Sequence, residues 1–310
     1  MTTSTDVVTA EPEVTGRRRR PRLSEGARAE RRLGWLLCAP AVIVMLAVAA
    51  FPIIYAVWLS LQRYDLRFPQ QAKFIGLSNY AAVLSPDSPW WHALWVTLII
   101  TVVSVAVEFV LGMLLAVLMY RTVFTRGTVR TIILIPYGIV TVAAAYGWQY
   151  AWTPNTGYLS ALFNNSAPLT KTGTALAVII LAEIWKTTPF MALLLMAGLS
   201  LVPEDVLQAA RVDGATAWQR FTRVTLPLMK PAILVALLFR SLDAFRVFDN
   251  IYILTAGGNG TYSVSILGYD NLFRALNLGI GSAISILIFI CVAIIAFIFI
   301  RIFGAAAPGA

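Results

Sequence analysis

Long apolar runs separated by short polar islands set the pattern of this chain. Six runs are long enough to cross a bilayer, which takes about 20 apolar residues each. They lie at approximately 36–61, 93–119, 129–150, 175–199, 232–254 and 282–303. The pattern predicts an all-α, polytopic membrane protein with six transmembrane helices. The most informative polar island is 199–231. Pro203 at a first helical position, with Glu204 and Asp205 where the helix dipole favours acid, predicts a short helix. Gly214 predicts its end, because only glycine turns left-handed without a Cβ penalty. A second helix then passes through Trp218 and Phe221, which leaves the first lying parallel to the membrane surface.

Composition agrees. With 59% hydrophobic residues and 13% charged, the 310-residue chain has more apolar surface than a soluble globule can bury. A net charge of +9 raises the question of nucleic acid, but the basic residues flank apolar runs as topology signals do, so no nucleic-acid partner is expected. Residues 1–32 are rich in Thr, Glu, Arg and Pro and read as a disordered tail carrying eight Arg, a positive-inside signal facing membrane lipid. A transmembrane domain is expected over 33–303, with its polar loop at 200–230, and 304–310 reads as a short C-terminal tail. The first run continues through Phe51-Pro52 without a small-residue cleavage site, so it reads as a retained span.

Lys and Arg test the topology. The tail, the 120–130 turn, the 200–230 loop and the C-terminus hold 16 of them; the opposite loops hold only Arg63, Arg67, Lys73, Lys171 and Arg274. Both termini and the 200–230 loop are therefore expected in the cytoplasm.

Three basic residues, Lys186, Arg240 and Arg246, fall inside spans. An ionisable group in hydrocarbon is costly unless paired or facing water, so each marks a candidate site. Arg240, Asp243, Arg246 and Asp249 recur every three residues, which predicts Arg–Asp pairs along one spiral of the fifth helix. Glu183 and Lys186 are another i, i+3 pair, and Glu108 stands alone in the second run. These charges serve either a substrate path or structural ion pairs between spans. No catalytic or metal set is visible: the only histidine, His92, sits at a span's edge, and Cys38 and Cys291 lie in apolar runs. Nor does a phosphate-binding loop of the Gly-x-x-x-x-Gly-Lys type occur, so no cofactor is expected on this chain.

Gln208-Ala209-Ala210, then Gly214, then Val224-Thr225-Leu226-Pro227 resembles the EAA loop of the permease subunits of ATP-binding-cassette (ABC) importers, with Gln208 where the family usually has Glu. Other segments are similar to the carbohydrate-uptake, maltose-permease-like and binding-protein-dependent branch. They are Phe74-Ile-Gly-Leu-Ser-Asn-Tyr80 with Trp90 and Trp91, Ile135-Pro136 followed by Trp148 and Trp152-Thr-Pro-Asn-Thr-Gly157, and Leu254-Thr-Ala-Gly-Gly-Asn-Gly260. The resemblance spans roughly 34–303.

It implies a non-catalytic half of a sugar path in a bacterial cell membrane, for a disaccharide such as trehalose. The implied partners are a second homologous permease, two ATPase subunits that use ATP and Mg, and an extracytoplasmic substrate-binding protein. The ATPase contact is implied at Pro203, Glu204, Leu207, Gln208, Ala209, Ala210, Asp213, Gly214, Leu226 and Pro227. Carried over by position, the sugar contacts fall on Glu183, Lys186, Thr187 and Phe190 of the fourth run, and on Arg240, Asp243, Ala244 and Val247 of the fifth. The alternative is an ion-coupled secondary transporter that uses the Arg/Asp ladder as a proton relay.

Overall fold

The computed structural model describes residues 25–121 and 126–304, so the tail reading over 1–24 and most of 304–310 lie outside the described residues. The chain divides into two compact units, 1–53 and 54–310. In the first, helix α1 runs Glu25–Met45 and a π turn follows at Leu46–Ala50, while α2, Phe51–Ser60, belongs mostly to the second unit. The described chain is helical from its first residue, Glu25, in place of the disorder expected over 25–32. Ala27, Ala29 and Glu30 are good helix formers, and adding turns to an existing helix avoids the cost of nucleation. The π turn precedes Pro52, whose missing N–H frees an upstream carbonyl.

In the second unit α3 spans Pro89–Arg121, α4 Arg126–Gly138, α5 Thr141–Ala151 and α6 Thr172–Ser200. Helix α7 is Glu204–Val212, α8 Lys230–Phe245, α9 Asp249–Leu254, α10 Val264–Tyr269 and α11 Leu278–Gly304. Among the described residues four helices are long and apolar enough to span on their own: Arg32–Ser60, Pro89–Tyr120, Thr172–Ser200 and Leu278–Arg301. Two more candidates are bent pairs, Gly127–Gly138 with Thr141–Ala151 at 85°, and Ala217–Leu228 with Lys230–Leu254 at 69°, which makes six if each pair is one span. The apolar runs expected as the third and fifth spans thus fold as bent helix pairs.

The most extensive helix contact joins α3 to α6, with α8 packed on both. Val105, Met113, Met191, Leu195, Met229 and Ala236 bury one apolar core among these three helices. A second cluster around Ile100, Ile179, Ile251 and Ile266 brings α9 and α10 onto them. The close approach of α3 and α6 depends on Gly112, where an added Cβ would stand 2.7 Å from Met191 Cγ.

Helices account for nearly all regular structure. Among the described residues one short antiparallel pair, Gln62–Arg63 with Lys73–Phe74, closes the loop that follows α2. In that loop the guanidinium of Arg67, and then its backbone N–H, donate to Asp65, holding its carboxyl down at about 2.

Candidate functional site

Two breaks in helical hydrogen bonding make the central cavity. In the third span the helix stops at Gly138 and restarts at Thr141, and in the fifth it stops at Phe245 and restarts at Asp249. A cavity of about 630 Å³ lies between these breaks and the face of α6. Glu183, Lys186 and Thr187 line it from α6, Asp243 from α8, and Arg246 to Asn250 from the second break.

Lys186 fills a specific need there. Its ammonium donates to the carbonyl of Ile139 at 2.6 Å, at a point where the helix break leaves no amide to do so, and lies 5.9 Å from the Tyr137 ring centre. Phe190, one turn further, stacks on the same Tyr137 at 5.3 Å. The sequence-predicted pairing of Glu183 with Lys186 is therefore not formed: the broken backbone takes the lysine.

Glu183 pairs instead with Arg240. The guanidinium, fully buried, donates to Glu183 Oε1 at 2.9 Å, to Glu108 Oε1 at 2.9 Å, again to Glu108 through Nε, and to Asp243 Oδ2 at 2.6 Å. The amide of Asn250 donates to the other oxygen of Glu183. Thr187 Oγ1 stands 2.8 Å from Glu108 Oε1 and 2.6 Å from the Glu183 carbonyl, with one proton to share between them. One cation thus joins α3, α6 and α8, and Glu183 ties α9 to it. A buried guanidinium is tolerable only with its donors satisfied, and here the charges of Glu108 and Glu183 do so out of water.

The expected Arg–Asp spiral exists only in its first rung. Arg246 caps the end of α8 and Asp249 opens α9, so the helix break separates them, and no ion pair joins them among the described residues. Sequence spacing assumed a continuous helix. Glu108 is the residue that reasoning on the fourth and fifth runs left out; its signal was a lone carboxylate in an apolar run.

Of the other predicted positions, Val247 lines the cavity at its second break. Ala244 is fully buried in the core shared by α3, α6 and α8, and Arg240 lies behind the cavity wall. Among the described residues no group of three His, Cys, Asp or Glu side chains could hold a metal ion.

The polar loop forms a second candidate site. Pro203 has extended ψ, so it caps α7 rather than opening it, and the helix starts one residue later than expected, at Glu204. Glu204 and Asp205 occupy its first turn. At the other end Asp213 is the last cap residue, and Gly214 follows at φ +79°. Its N–H donates to the carbonyl of Arg211 and that of Ala215 to Ala210, both at 3.0 Å, the paired bonds of a Schellman turn. Thr216 and Gln219 then close a capping box that starts the next helix. That helix passes through a π turn, Phe221–Thr225, ahead of Leu226 and Pro227, the proline again removing a backbone donor. A cavity of about 290 Å³ under α7 is lined by Glu204, Leu207, Gln208 and Arg211 with Tyr120 and Phe221; Leu207 packs on the main core, and Ala209 and Ala210 complete the helix.

A family model, the binding-protein-dependent transport system inner membrane component, matches residues 108–307. The chain belongs to that family. The matched region of this inner-membrane component begins at Glu108 and contains Glu183, Arg240, Asn250 and the whole polar loop. The trehalose transport system permease protein SugA of Mycobacterium tuberculosis is 65% identical over 282 residues, which cover 91% of this chain and 92% of that one. The trehalose/maltose transport system permease protein MalF of Thermococcus litoralis is 39% identical over 280 residues, 88% of this chain and 94% of that one. A chain from the crystal structure of a bacterial ABC transporter involved in the import of the acidic polysaccharide alginate shares the fold at a TM-score of 0.76 and 24% identity, over 90% of this chain and 98% of that chain. With this fold and its apolar spans, the inner-membrane component is a multi-pass membrane protein.

Proposed function

We propose that this chain is the transmembrane subunit of an ATP-driven importer for a disaccharide such as trehalose. The observation that carries the reading is 65% identity, along nine-tenths of the chain, to a relative named as a trehalose transport permease. The central cavity supports it chemically. Sugars are held by planar hydrogen-bonding groups and aromatic faces, and Glu183, Lys186, Asp243 and Asn250 stand beside Tyr137 and Phe248 there. Glu183, Lys186, Thr187, Asp243 and Val247 contact the sugar, and Arg240 holds Glu183 from behind.

A second, homologous permease closes the other half of the path. Two ATPase subunits bind ATP and Mg and take α7 into a groove, and an extracytoplasmic binding protein delivers the sugar. Both termini and the polar loop face the cytoplasm. Closure of the ATPases pulls on α7, the turn at Gly214 passes the movement to the fifth span, and the packed helices rock around the central cavity.

The test is to purify the tagged chain from solubilised membranes and identify what accompanies it. Recovery of an ATPase and a second permease, with ATP hydrolysis stimulated by sugar and binding protein, is the expected result. A chain that purifies alone and transports in liposomes on a proton gradient overturns the reading in favour of an ion-coupled carrier.

A further inference from the structure

Aromatic rings form a row that starts in the central cavity and ends in the open. Phe248 lines the cavity and stacks on Tyr252, one helical turn along α9, with centroids 5.2 Å apart and planes 20° from parallel. On the adjoining segment Tyr269 ends α10, and Phe273 lies one turn on, in the π turn Asp270–Arg274, with centroids 5.1 Å apart. The two pairs meet, since Tyr269 is 5.1 Å from Phe248 and 5.3 Å from Tyr252. The last ring, Phe273, is 67% exposed, so core packing does not account for it.

Charged groups flank the row. The Arg274 guanidinium lies 5.8 Å from the Tyr252 ring centre and 6.0 Å from that of Tyr269, and forms an ion pair with Asp270 at 3.2 Å. The Tyr262 hydroxyl donates to the other Asp270 oxygen at 2.8 Å, which fixes the carboxylate in place. A planar donor and a planar acceptor thus stand beside a run of ring faces. Together they match a pyranose, whose C–H face packs on aromatic rings while its hydroxyls take charge-assisted hydrogen bonds.

We propose that this row is an outer sugar-binding track, distinct from the central cavity and continuous with it. Phe273, Arg274 and Asp270 take one pyranose ring of an arriving disaccharide, and Tyr269 and Phe248 pass it inward. The proposal deepens the sugar-importer reading and rests on it.

The test uses the whole importer in proteoliposomes, with its partner permease, ATPase subunits and trehalose-loaded binding protein. Radiolabelled trehalose uptake and ATP hydrolysis are measured in the same sample. Phe273→Ala is expected to assemble normally and keep binding-protein-stimulated ATP hydrolysis, while trehalose moved per ATP falls about three- to tenfold, the worth of one aromatic contact. Phe273→Trp, which keeps a ring face, is expected to hold the wild-type ratio. A wild-type ratio in Phe273→Ala overturns the track and leaves the ring an interfacial anchor. Failure of Phe273→Ala to assemble also overturns it, by making this face a subunit contact. A wild-type complex that moves no disaccharide overturns the importer reading, and the track falls with it.

Discussion

Arg240 meets Glu108 and Glu183 out of water and Asp243 at the edge of the cavity, so one guanidinium makes similar bonds in two unlike environments. The Glu108 side chain is fully buried, whereas that of Asp243 is 69% exposed. Removing a buried partner leaves an uncompensated charge, at a cost of about 3–5 kcal/mol; losing an exposed one costs about 0–1 kcal/mol. Glu108→Ala is therefore expected to lower the thermal midpoint and yield of the detergent-solubilised complex sharply. Glu108→Gln should recover part of the loss through its remaining hydrogen-bonding oxygen, and Asp243→Ala should match wild type. Equal behaviour of the two alanine variants would mean that water reaches Arg240 freely. Lys186 follows the same logic: its partner is a backbone carbonyl, which no inspection of side-chain charge pairs could supply.

Elements end here for identifiable reasons, and the ends do the positioning. Gly214 sits at φ +79° with open space around its Cα, so a side chain there meets no clash and the whole penalty is conformational. Gly214→Val sets a β-branched residue against the left-handed region, at about 1–2 kcal/mol for the backbone alone, and opens the Schellman turn. The expected outcome is near-normal ATP hydrolysis with transport reduced at least severalfold, read by comparing the two rates in one reconstituted sample. Unchanged transport would show that the turn carries no movement. The bent spans act at the same scale. Breaks at 139–140 and 246–248 turn backbone and side-chain polar groups toward one cavity, where unbroken helices would satisfy their own carbonyls.

For the molecule as a whole, the uneven placement of Lys and Arg predicts how the spans are oriented. With the termini and polar loop inside, a cysteine introduced by Ala256→Cys in the outer loop should react with a membrane-impermeant maleimide in intact cells. One introduced by Gln208→Cys should react only after permeabilisation. Both substitutions belong in a Cys38→Ser, Cys291→Ser background, and the reverse labelling pattern would invert the topology.

The sequence by itself determined the all-α membrane class, the approximate positions of the apolar runs, and the short helix that ends at Gly214. Each of these follows from local chemistry: apolar length against bilayer thickness, and a residue that alone turns left-handed freely. It also marked the buried charges as worth explaining. Their partners were decided only by the tertiary structure. Glu108 and Arg240 lie 132 positions apart, Lys186 and Ile139 47, and no spacing rule within one helix reaches across such gaps. The breaks in the third and fifth spans decided the rest. Arg246 and Asp249 fall on either side of a helix end that Pro and Gly do not signal, and whether a charge faces a neighbour, a free carbonyl or a cavity depends on how α3, α6 and α8 pack together.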